Sequence, residues 1–167
     1  MRSWVVAAGL IEGPLGWLLV QNRRRDGSLD WSPPGGVIEV HDGETITDGL
    51  TREVREETGL EVDSWEGPVY DVEVVAEGLG WTLRAEMFVA RSYAGALVVE
   101  DPDGIVVDAR FVPASGWPEL LEGSHPWVRE PIAGWLAGPD VALASYRYRL
   151  DGPSGEVEVV RLHGGSG

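Results

Sequence analysis

The stretch Gly35–Leu60, GGVIEVHDGETITDGLTREVREETGL, constrains this chain more than any other. Its end, Arg52–Leu60 (REVREETGL), carries Glu53, Glu56 and Glu57. On a helix, spacings of i, i+3 and i+4 set all three on one face. Two unit charges about 5 Å apart at an effective dielectric near 20 repel by roughly 3 kcal/mol before screening. A surface Glu–Arg pair returns only about 0.3–0.5 kcal/mol. The neighbouring Arg52 and Arg55 therefore do not offset a tight carboxylate cluster. A hard divalent cation does, because Mg²⁺ takes oxygen ligands and keeps positions open for water and substrate phosphate.

Alone, an R-E-x-x-E-E run reads as a solvated helix face. The flanks change that reading. Pro33-Pro34-Gly35-Gly36 suits a tight loop whose backbone approaches a ligand closely. Thr45 and Asp48 form a T-x-x-D capping box, and Gly59 is a natural left-handed stop. These signals predict a helix over about Ile46–Thr58. Ile46, Leu50 and Val54, at i, i+4 and i+8, are its expected buried stripe, with the glutamate face turned away.

Together these residues resemble the Nudix (MutT-like) hydrolase box, G-x5-E-x7-R-E-U-x-E-E-x-G-U, where U is a bulky aliphatic. Glu44, seven spacers and Arg52-Glu53-Val54-Arg55-Glu56-Glu57-Thr58-Gly59-Leu60 match every position from the first glutamate onward. The departure lies in the loop: seven residues, VIEVHDG, separate Gly36 from Glu44 instead of five. That insertion precedes the capping box and leaves the helix register untouched. The resemblance spans roughly residues 4–137. It implies a Nudix-type α/β/α sandwich around a mixed sheet, and hydrolysis of a nucleoside diphosphate linked to another moiety, with Mg²⁺ or Mn²⁺. By the same resemblance Glu53, Glu56 and Glu57 correspond to metal ligands and the Gly35 carbonyl to a backbone ligand. Arg52 corresponds to the residue that orients the glutamates, and Glu44 to a supporting acid.

Charge and composition agree with that chemistry. With 28 acidic and 13 basic residues the net charge is -15, which argues against binding nucleic acid or an anionic membrane. Every basic residue is Arg, so Lys nucleophiles and Schiff bases are excluded. With no Cys there is no disulfide, thiol catalysis or Cys-ligated zinc. The apolar start is broken by Glu12-Gly13-Pro14 and reads as neither a signal peptide nor a membrane span, so the cytoplasm is the expected compartment.

Along the chain, Trp4–Ile11 and Leu15–Gln21 read as strands paired in a hairpin. Asn22-Arg23-Arg24-Arg25-Asp26-Gly27 is a basic loop. It is either a solvated turn or a phosphate clamp, because Arg forks match phosphate oxygens; Arg23 is the first candidate contact and Arg25 the second. Trp31 is either a stacking platform for a base or a core residue. Val69–Ala76 and Trp81–Arg91 read as strands, Leu97–Glu100 as a further edge strand and Ile105–Val112 as another. Pro126–Ala137 is a helix in which Pro131 predicts a late start or a kink. Val141–Leu150 and Glu156–Leu162 form a C-terminal β-hairpin extension of about 141–162, which either lengthens the sheet or makes a homodimer contact. Residues 1–167 are one domain.

The general base stays open among the box glutamates, Glu100, Asp108 and His125. The basic loop before PPGG resembles enzymes acting on (deoxy)nucleoside triphosphates, including oxidised, 8-oxo-dGTP-like ones. Asp71–Ala76 lacks the Pro of ADP-sugar hydrolases, and Glu77–Trp81 lacks the Tyr of dinucleoside polyphosphate hydrolases. Those two classes remain the enzyme alternatives. A catalytically silent nucleotide-sensing module is the alternative outside enzymes.

Overall fold

The computed structural model describes residues 1–138, 144–153 and 157–162. Strand β1 (Arg2–Leu10) lies inside a six-stranded mixed sheet. It runs parallel to β7 (Trp81–Ala94) on one side and antiparallel to the short β5 (Gly35–Val37) on the other. β6 (Glu61–Ala76) pairs antiparallel with β7, and β9 (Ala144–Asp151) runs parallel to β6. β10 (Glu158–Leu162) closes the edge beside β9. A smaller sheet is built on β3 (Gly16–Arg23), which pairs with the two-residue β2 (Glu12–Gly13), with β4 (Leu29–Ser32) and with β8 (Val106–Val112).

Period-2 alternation sends the two faces of the large sheet into two cores. Helix α1 (Ile46–Thr58) buries Leu50 and Val54 with Ala7, Ile11, Leu18, Val62 and Phe88. On the other face, α2 (Trp117–Leu120) and α3 (Pro126–Ala137) cover Leu10, Tyr70, Val72, Val74 and Tyr148. The result is the expected α/β/α sandwich. Trp17 and Trp135 meet edge to face at 5.3 Å and tie the small sheet to α3. Among the described residues no helix is long and apolar enough to cross a membrane.

Several expectations are corrected. The first two long strands are not hairpin partners: β1 joins the large sheet and β3 the small one, and only the β2 dipeptide bridges them. Leu97–Glu100 forms no strand. The strand expected from Val69 begins at Glu61, with register shifts before Tyr70. Pro131 neither delays nor breaks α3, which runs from Pro126 through Ala137. Of the C-terminal pair, the described strands extend the large sheet; residues 141–143 and 154–156 of the expected hairpin lie outside the described residues.

Candidate active site

The sequence of α1 fixes both its ends. The Thr45 hydroxyl accepts the Asp48 N–H at 3.2 Å, and Gly59 caps the other end in the left-handed conformation. With Leu50 and Val54 buried beneath it, the helix turns Glu53 and Glu57 toward the β5 edge. The contact needs glycine there: a Cβ on Gly36 would sit 2.6 Å from the Glu53 carboxyl carbon, and one on Gly35 would sit 2.1 Å from the Ala7 carbonyl. Gly49 does the same for the helix start, where a Cβ would fall 2.6 Å from a Glu44 carboxylate oxygen.

The carboxylates of this helix occupy different environments. Arg52 binds Glu44 bidentately, Nε to Oε2 at 2.8 Å and Nη2 to Oε1 at 3.0 Å, and the Glu39 N–H donates to Glu44 at 3.0 Å. The bonds from Arg52 hold the Glu44 carboxyl down to about 2. Arg52 Nη1 also donates to Glu53 at 2.9 Å and to Glu56 at 3.3 Å. One guanidinium thus serves three carboxylates, while Arg55 turns away to Glu61. Glu57 belongs to the buried set, at 8% exposure, instead of an open helix face. Its hydrogen bond is a long one, accepted from the Gly35 N–H at 3.4 Å. Burial first, then the charge of Glu53, pushes the Glu57 carboxyl up to about 9. Burial also raises Glu53, against the bonds from Arg52.

Two more acids approach on the turn before β8. Asp101 spends its oxygens on the N–H groups of Asp103, Ile105 and Val106, at 2.9–3.1 Å. Its charge acts on Glu57, and that of Asp103 acts on Glu53. Glu53, Glu57, Asp101 and Asp103 line one part of a cleft of about 500 Å³. Apolar side chains of the large sheet, Tyr70 and Val72 among them, form the floor; Trp127 of α3, Asn22 and Ser32 of the small sheet and Arg24 in the loop after β3 complete the walls.

The donor chemistry fits a hard divalent cation: the oxygens of Glu53, Glu56 and Glu57 and the carbonyl of Gly35, around a buried carboxylate that no cationic side chain neutralises. Among the described residues no three acidic or imidazole groups are already closed around a single point. Glu53 and Glu56 are instead held on Arg52.

The arginine loop differs from expectation, and Trp31 takes the core alternative. Arg24, not Arg23 or Arg25, lines the cleft; it binds Asp30 through Nε at 2.6 Å and Nη2 at 2.8 Å. Arg23 and Arg25 are exposed and lie off the cleft. Trp31 is a core residue, 8% exposed, with the Arg110 guanidinium 5.1 Å over its ring. Pairing decides it: Trp31 faces with its partner Gln21 and with Leu19, whereas Asn22, Asp30 and Ser32 occupy the alternate face, from which Asn22 and Ser32 line the cleft. Of the proposed bases, Glu100 is exposed and off the cleft, and Asp108 is bonded to Arg110 at 2.9 Å. His125 is exposed and stacks flat on Trp127 at 4.2 Å, its pKa lowered by partial desolvation and then by Arg24. Sequence reading missed Asn22, Ser32, Trp127, Asp101 and Asp103. The alternation through Asn22, Asp30 and Ser32 was a usable signal; the Asp-Pro-Asp-Gly turn offered none beyond its turn chemistry.

Comparison with known proteins follows the same lines. A model of the NUDIX domain matches residues 2–115. No curated protein matches the chain. Among solved structures, the MutT protein of Bacillus halodurans is 21% identical, with 95% of this chain and 97% of that one covered at a TM-score of 0.65. A NUDIX hydrolase from Nitrosomonas europaea is 25% identical, covering 82% and 90% at a TM-score of 0.62. An ADP compounds hydrolase is 15% identical, covering 81% and 74% at a TM-score of 0.62. With its glutamate helix docked on the Gly35–Gly36 edge and a family model spanning more than half its length, this chain belongs to the Nudix hydrolase family.

Proposed function

We propose that this Nudix hydrolase cleaves a (deoxy)nucleoside triphosphate, oxidised forms included, to the monophosphate and pyrophosphate with Mg²⁺, or Mn²⁺ in its place. The observation that carries the reading is that one cleft is lined both by acids, Glu53, Glu57, Asp101 and Asp103 among them, and by apolar and aromatic side chains such as Val72, Tyr70 and Trp127. A nucleotide has parts to match both, a metal-bound polyphosphate and a flat base.

A bound cation would neutralise phosphate oxygens and activate a water for attack. Glu53, Glu56, Glu57 and the Gly35 carbonyl would hold it. Arg52 keeps Glu53 and Glu56 in place, and Glu44 keeps Arg52 in place. Asp103 lines the cleft beside Glu53 and is the first candidate for the proton acceptor, since Asp101 is engaged by backbone N–H groups. Arg24 is placed to meet phosphate oxygens. Trp127 offers the base a flat apolar face. The reaction needs no nucleic acid or membrane, and we place it in the cytoplasm.

A product assay on a nucleotide panel with excess Mg²⁺ tests the reading. Pyrophosphate from triphosphates is the expected result. Turnover confined to nucleoside-diphosphate sugars or dinucleoside polyphosphates transfers the assignment to those classes. Binding without turnover of any member makes the chain a sensor.

A further inference from the structure

Asn22 is buried at 7% exposure, yet it lines the cleft. Its amide nitrogen donates to Asp30 Oδ1 at 3.1 Å and to the Ser32 hydroxyl at 2.9 Å. A carboxylate only accepts, so Asp30 fixes the orientation of the amide: both N–H groups are spent, and the carbonyl Oδ1 is what remains. Among the described residues the only fully buried side-chain polar atom without a partner is the Tyr148 hydroxyl. Asn22 Oδ1 is therefore open, and the open side of this residue is the cleft. Asp30 is itself gripped by Arg24 through two bonds of 2.6 and 2.8 Å. The network stands beside the aromatic wall, because His125, stacked on Trp127, feels the charges of both Arg24 and Asp30.

Resting on the nucleotide reading above, we propose that Asp30 is a positioning residue that makes Asn22 a fixed acceptor, so that the cleft prefers a nucleobase carrying an exocyclic amine. A base lying on Trp127 with its edge toward β3 and β4 would give an amine N–H to Asn22 Oδ1. A base without the amine would leave that oxygen desolvated and unpaired. Loss of one such partner in a site built around it is a strong basis for rejection. Asp30 touches no ligand in this scheme; it acts through Asn22 and, separately, by anchoring Arg24.

Calorimetric dissociation constants for monophosphate pairs differing only in the amine provide a test independent of turnover. The pairs are guanosine against inosine, adenosine against purine riboside, and cytidine against 2-pyrimidinone riboside, each with Mg²⁺. In the wild type at least one pair should favour the amine by about tenfold or more. Asn22→Ala and Asp30→Ala should bring that ratio close to one. Asp30→Asn keeps an acceptor for the Asn22 N–H, so it should preserve the ratio while weakening both members as Arg24 loses its anchor. If Asn22→Ala fails to fold, the contrast between Asp30→Ala and Asp30→Asn decides, and equal ratios in those two overturn the proposal. So do equal affinities within every wild-type pair, a ratio that survives Asn22→Ala, or no monophosphate binding at millimolar concentration. A protein that ignores triphosphates yet keeps the ratio loses only its substrate assignment.

Discussion

The two ends of α1 present the same side chain to opposite fates. At the start, Glu44 meets the Arg52 fork, and its carboxyl is held down to about 2. At the last turn, Glu57 is buried against Gly35 without a cationic side chain bonded to it, and its carboxyl is pushed up to about 9. One end is electrostatically complete within the protein. The other holds a carboxyl whose negative charge the fold does not compensate, so it stays protonated unless an added cation takes the proton's place. On the proposed reading, the Glu44–Arg52 end is scaffold and the Glu57 end is reactive.

The largest test removes the incomplete end. Glu57→Gln keeps shape and helix propensity but deletes a charged donor. The expected loss of kcat with Mg²⁺ is on the order of a hundredfold or more, and Glu56→Gln should lose most turnover too. Chelation of wild type should abolish turnover and re-addition of Mg²⁺ should restore it. Wild-type kcat in both variants, or full turnover in chelator, would remove the metal from the mechanism.

Stability against pH sharpens the contrast without any substrate. Burial pushes the Glu57 carboxyl from its ordinary 4.5 up to about 9 in the folded state, so folding favours its neutral form. Its contribution to stability is complete below pH 4.5 and is lost as pH rises toward 9. Metal-free protein should therefore weaken across that window, by up to about 1.4 kcal/mol per pH unit from this group alone. Denaturant midpoints in chelator at pH 5, 7 and 9 measure it. Glu57→Gln should flatten the slope, and Mg²⁺ should reduce it in wild type. A slope identical in wild type and variant would show that Glu57 is not the group responsible.

This contrast was half legible in the sequence. Thr45 and Gly59 bond to backbone groups within four residues of themselves, so the bounds of α1 follow from local chemistry. What the glutamates meet is set by distant chain: Gly35 and Gly36 on β5, and Asp101 and Asp103 before β8. The same limit separates strands from their pairing. β1 and β3 are both apolar runs at the expected places, but nothing local says that they join different sheets. In the sequence Trp31 stays open between base and core for the same reason, since one residue of register exchanges the cleft face for the core face.

The complete end has a smaller test of its own. Glu44→Gln removes the charge that anchors Arg52 but leaves the metal donors in place. The guanidinium is then shared by Glu53 and Glu56 alone, and we expect kcat to fall about tenfold with KM little changed. The bonds from Arg52 hold the Glu44 carboxyl from its ordinary 4.5 down to about 2 when folded, so its stabilisation is present above 4.5 and is lost as pH falls toward 2. The variant should lack that acid-side loss. A Glu44→Gln protein as inactive as Glu57→Gln would mean that both ends are reactive and that the division is wrong.

The smallest expected effect compares Arg24 with its neighbours. The guanidinium of Arg24 is half-exposed and paired with Asp30, so Arg24→Ala should cost little stability and shift Tm by no more than a few degrees. If Arg24 meets phosphate oxygens, the same change should raise KM several-fold while kcat stays within about twofold. Arg24→Lys should fall between, because an ammonium keeps the charge but not the fork. Arg23 and Arg25 lie off the cleft, so Arg23→Ala and Arg25→Ala should leave KM unchanged. KM for the best triphosphate, measured across the four variants at two ionic strengths, separates a contact from a field. A contact singles out Arg24, whereas a general positive field lowers affinity by similar amounts for all three alanine variants and fades with salt. The latter pattern would return the whole loop to bulk electrostatics and leave Asp30 with Asn22 alone to position.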